Sequence, residues 1–103
     1  MSSRLLRFTA LPLDMYSTDL WRAVEACKLV LVDAMVHPLE RSTGYVLCHS
    51  AANAQLVLKH VAQGEVRVAG KALKSAEIDT SDYDALFVHL RNLAMLSAFG
   101  ILK

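Results

Sequence analysis

The strongest constraint on this chain is an alternation between two periodicities. Short apolar, β-compatible runs alternate with segments whose apolar residues recur at helical spacing. Leu29 to Val36 is almost continuously apolar, broken only by Asp33, and predicts a strand that His37-Pro38 ends. Leu5 to Leu11 predicts another, with Leu6 and Phe8 pointing one way and Arg7 and Thr9 the other, before Pro12 closes it. Gly44 to His49 and Ala72 to Ile78 predict two more. Between them lie two helices. The first spans about Thr18 to Ala26, with Ser17, Thr18 and Asp19 as cap candidates and Leu20, Ala23, Val24 and Cys27 as its buried stripe. The second runs from Ala51 to Ala62 behind Ser50, with Ala52, Leu56, Val57, His60 and Val61 on one side. Gln63-Gly64 stops it, because glycine accepts the left-handed cap.

Beyond Gly64, Glu65 to Ala69 predicts a short extra strand and Gly70 a turn. After the polar break Asp79-Thr80-Ser81-Asp82, a final helix is expected over about Asp82 to Phe99. Ser81 or Asp82 caps it, and Asp82 and Asp84 sit near its positive end. This helix is apolar over most of its girth, so it has to be buried against something.

The order is β-α-β-β-α-β followed by a C-terminal helix. It implies an α/β chain of the α+β sandwich type: a ferredoxin-like, four-stranded antiparallel sheet with two helices on one face. An open second face would expose Leu5, Tyr45 and Leu47, so the last helix is expected to cover it. The 103 residues show no repeat and no linker, and read as one domain over 1–103. Its core spans 4–78, and a helical extension spans 80–101.

Bulk composition narrows the function classes. The chain is 54% hydrophobic, rich for so small a domain, which points to a protein partner or a homodimer. Eleven basic residues against ten acidic ones give no general excess for holding phosphates. Cys27 and Cys48 lack ligand spacing and read as free thiols of a reducing, intracellular compartment, nuclear or cytoplasmic. The basic, acid-free start around Arg4 and Arg7 faintly resembles a mitochondrial leader, but the same residues make a good strand, which is the preferred reading. The four histidines have no metal spacing, and neither a metal nor another cofactor is expected. No apolar run reaches the ~18 residues of a membrane span, so no membrane partner is expected. No nucleophile-base pair, paired carboxylate motif or phosphate loop is visible, and the expectation is a protein that is not an enzyme.

One string carries a family resemblance. Arg41-Ser42-Thr43-Gly44-Tyr45-Val46-Leu47-Cys48 aligns with the third-strand motif of the RNA recognition motif, [KR]-G-[FY]-[GA]-[FY]-[ILV]-x-[FY]. Arg41, Gly44, Tyr45 and Val46 match, whereas Ser42, Thr43 and Cys48 depart. Leu6-Arg7-Phe8-Thr9-Ala10-Leu11 stands where the first-strand motif is expected, with Arg7 at the stacking aromatic's place. Gly70-Lys71-Ala72-Leu73 fits the entry to the fourth strand. The resemblance covers about residues 4 to 78.

In that family, unpaired bases stack on aromatic rings standing out from the sheet. The resemblance implies an outer face carrying Arg7, Thr43 and Tyr45, with Phe8 and Val46 inward. Two of the expected aromatics are missing, at a cost of ~2–6 kcal/mol in stacking. The leading expectation is therefore a ribonucleoprotein module that binds single-stranded RNA weakly and also contacts protein. Arg7, Thr9, Arg41, Thr43, Tyr45 and Lys74 would be its RNA contacts, and Trp21, Leu86, Phe87, Leu90 and Leu93 its protein surface. The alternative is a protein-binding or dimerising member with no RNA role.

Overall fold

A computed structural model describes residues 3–100. The elements run β1 (Leu5–Thr9), α1 (Ser17–Glu25), β2 (Leu31–Val36), β3 (Gly44–Cys48), α2 (Ala51–Ala62), β4 (Arg67–Val68), β5 (Lys71–Ala72), β6 (Ser75–Asp79) and α3 (Tyr83–Ala98). The chain is thus α+β, with three helices and a four-stranded antiparallel sheet in the order β2-β3-β1-β6. β4 and β5 form a separate two-stranded hairpin. Ala69 and Gly70 turn it with φ of 51° and 79°, the conformation that a tight hairpin turn demands.

Strand alternation divides the sheet into two faces. Leu6, Phe8, Ala34, Val36, Val46, Cys48, Ala76 and Ile78 join α1 and α2 in the main core. Helix α1 contributes Leu20, Ala23 and Val24, and α2 contributes Ala54, Val57 and Val61. Each central buried aliphatic or aromatic side chain there contributes about 1.5–3 kcal/mol by leaving water.

Several local expectations are corrected. β1 ends at Thr9, because Ala10 takes φ 55° and turns the chain before Pro12. The fourth main strand begins at Ser75, since Lys71 and Ala72 pair back with Arg67 and Val68. On α2, Ala52 and Leu56 face outward and Ala54 takes the buried position. The cap position of α1 is Tyr16. The Asp19 carboxylate accepts from its backbone N–H at 2.9 Å, and the Ser17 hydroxyl is instead used by the Val36 N–H.

Gly44 shows why the third strand needs its glycine. It is buried beneath α1, and a Cβ there would lie 2.8 Å from Leu11 Cδ1 and 2.9 Å from Leu20 Cδ2. The residue that matched a nucleic-acid motif thus has a packing role on the opposite face.

Helix α3 lies on the second face. Asp82 caps it by accepting from the N–H groups of Asp84 and Ala85. Phe87 packs with Leu5 and Leu47 in a second core, bordered by Met35, Tyr45, Tyr83 and Leu86. Arg91 pairs with Asp33 of β2, and Arg4 donates to the Tyr83 hydroxyl at 2.9 Å while lying over its ring. These contacts fix the helix at the β2-β3-β1 end of that face.

Candidate nucleic-acid interface

The face bearing Arg7, Thr9 and Tyr45 is shaped by register. Arg7 stands beside Tyr45 on β3 and Glu77 on β6, Met35 follows Tyr45 outward on β2, and Thr9 lies opposite Ser75. One row toward the other strand ends, Leu5 stands between Leu47 and Asp79. Helix α3 covers that row through Phe87. What remains open is the Thr9 row and the Arg7–Glu77 part of the next, where Tyr45 and Met35 border the α3 packing.

Chemistry on the open part is already spoken for. The Arg7 guanidinium donates to Glu77, and this bond and charge hold it above its ordinary value. Thr9 and Ser75 share a hydroxyl–hydroxyl bond of 2.6 Å. Tyr45 is half-buried at the edge of α3. Burial pushes its phenol up, and the Asp79 carboxylate adds to that shift. A ring whose flank is taken by a helix offers a base less than a free platform does.

The other expected RNA contacts lie outside the paired strands. Arg41 sits in the β2–β3 loop, donates to the Met15 carbonyl at 2.8 Å and approaches the Tyr16 ring. Thr43 precedes β3 and closes that loop: its N–H donates to the Glu40 carbonyl, and its carbonyl accepts from His37. It is half-buried one position beyond the Gly44–Phe8 pair, in step with Tyr45 along the strand. Lys74 is exposed in the turn before β6. Of the six, Arg7, Thr9 and Tyr45 lie within the paired strands of this face, and Thr43 follows directly beyond the last β1–β3 pair.

The expected protein surface also divides. Phe87 and Leu90 are 4% and 0% exposed, so both are consumed within the chain. Their burial is the correction: the helix that was to offer them uses them to close its own sheet. Leu86 borders that packing, and Leu93 is half-buried. Trp21 packs partly against the main core and donates from its ring to Glu25 at 2.8 Å.

The sequence reading missed the cross-strand and helix–sheet pairs Arg7–Glu77 and Arg91–Asp33. Glu77 lies 70 positions from Arg7, and no local signal links them. The register supplies that information.

Other regions assemble little chemistry. A cleft of about 480 Å³ lies between Ser3, Arg4 and the start of α3, and Asp82, Tyr83 and Asp84 line it. Among the described residues no group of three or more His, Cys, Asp or Glu side chains converges as metal ligands. None of the described helices is long and apolar enough to cross a membrane. No protein-family model and no curated protein matches the chain.

Proposed function

We propose that this chain is a non-catalytic protein-interaction module of ferredoxin-like, RNA-recognition-motif-like architecture, whose sheet face serves its own third helix in place of RNA. The architectural part rests on the sheet order: with Ser75–Asp79 as the fourth main strand, the first and third strands lie at the centre. The inserted β4–β5 hairpin leaves that order intact. The functional part rests on one observation, the packing of Phe87 against Leu5 and Leu47 with Tyr45 at the margin.

Three facts support it further. The last candidate cation of the open face, Arg7, is neutralised by Glu77, and Asp79 stands on the same side of the same strand. A stacking face stripped of free rings loses ~1–3 kcal/mol per base. Exposed large apolar residues are instead distributed over the outer surface, including Val88 and Met95 on α3 and Phe99 at its C-terminal cap.

A titration of isotope-labelled protein with short single-stranded RNAs tests the reading. The amide signals of Arg7, Thr9 and Tyr45 are expected to stay in place up to millimolar RNA. Saturable shifts at these three positions would show that the face binds RNA and would overturn the proposal.

A further inference from the structure

Helix α3 carries a second apolar side that its own sheet does not reach. Tyr83, Leu86, Phe87 and Leu90 form the side against the chain. Ala85, Val88, Asn92, Met95 and Phe99 recur at alternating steps of three and four residues on the opposite side. Val88 is 59% exposed, Met95 52% and Phe99 73%. None of these five positions is charged, whereas the exposed positions of α1 include Arg22 and Glu25. Alternating three- and four-residue spacing is the pattern of a two-helix coiled-coil seam.

Building on the reading of the chain as a protein-interaction module, we propose that this seam docks on the same seam of a second copy, α3 running parallel to α3 across a two-fold axis. Asn92 sits at the middle of the seam. In a parallel pair it meets the partner's Asn92 across the axis, where a single polar layer fixes register and orientation. The flanks agree with this arrangement. Asp84 faces the partner's His89, and Arg91 faces the partner's Leu96, so no like charges meet.

Other occupants fit less well. A phosphate-rich surface needs a basic flank. Arg91 is the basic residue beside the seam, and it is bound to Asp33. The helix that carries the seam has 16 residues, about 24 Å in length. That is short for a standard interface, so the dimer is expected to be weak, with Kd on the order of 10–100 μM.

Analytical ultracentrifugation of the full chain across roughly 1–500 μM tests this, and a monomer–dimer equilibrium in that range is the expected result. The double variant Val88→Glu/Met95→Glu buries unpaired charge at the seam. It should weaken association at least about 100-fold while leaving the circular dichroism spectrum unchanged. Asn92→Cys should give an oxidised, disulfide-linked dimer that the parent chain does not form, because a parallel seam brings position 92 against itself. A monomer throughout the range, a dimer indifferent to the two glutamates, or a dimer without the cross-link would overturn the proposal. A monomer whose sheet face ignores RNA sinks the dimer alone; RNA-induced shifts at Arg7 and Tyr45 sink the underlying reading.

Discussion

Replacing Phe87 by alanine tests the helix–sheet packing on which the functional reading depends. Phe87 is 4% exposed and is enclosed by Leu5 at 0% and Leu47 at 5%. Truncating an enclosed phenylalanine costs about 3–5 kcal/mol, from lost transfer and from the cavity left behind. The lower end applies here, about 3 kcal/mol, because this core is small and α3 can settle toward the sheet. A domain of this size has a total stability of about 5–15 kcal/mol, so the loss is a large fraction of it. The corresponding fall in Tm is roughly 10–20 °C. Urea unfolding at low micromolar concentration, followed by circular dichroism and by Trp21 fluorescence, measures it. Trp21 lies on α1 against the main core, so it reports the opposite layer. Val88→Ala, on the far side of the same helix, serves as control and should stay within about 0.5 kcal/mol. A loss below about 1 kcal/mol for Phe87→Ala, or equal losses for both variants, would refute the argument that α3 closes the sheet.

Three further outcomes follow from the main core. Burial raises the Cys48 thiol from 9.0 to about 11, and Cys27 is raised more modestly by burial and by Glu65. The folded state keeps the Cys48 proton that the unfolded chain releases, so this contribution is complete below pH 9 and fades between about 9 and 11, by on the order of 2–3 kcal/mol. A thiol reagent at neutral pH should modify Cys27 before Cys48, which should react only on unfolding; equal rates in the folded protein would contradict its burial. At Gly44, alanine should cost about 1–2 kcal/mol, because its Cβ would press on the buried Leu11 and Leu20 side chains and approach the Met35 carbonyl at 3.3 Å. Valine should cost about 2–3 kcal/mol more, and urea midpoints that do not separate the two variants would refute the close approach of α1 to β3.

Most of the element pattern was legible in the sequence because it is local. The apolar period of Ala51–Ala62, with Ser50 in front and Gly64 behind, placed α2 at its observed ends. Val46 and Cys48 were read correctly as inward by strand alternation. Boundaries failed where a single backbone angle decides them, as at Ala10, or where two segments compete for one pairing, as at Lys71–Ala72. On α2 the stripe was rotated by part of a turn, because its apolar residues occupy more than one side.

The candidate site was legible only in part, for a different reason. Alternation places Arg7, Thr9 and Tyr45 on one face whatever the rest of the chain does. Whether that face is open depends on contacts between residues far apart in sequence: Phe87 with Leu5, Arg91 with Asp33, Arg7 with Glu77. Sequence by itself determined which segments are helical and which extended, and the inward sides of β1 and β3, because these follow from local geometry and burial. Tertiary structure alone decided which cations are neutralised and which rings are covered, because pair energies depend on distance through space and the chain's register sets that distance.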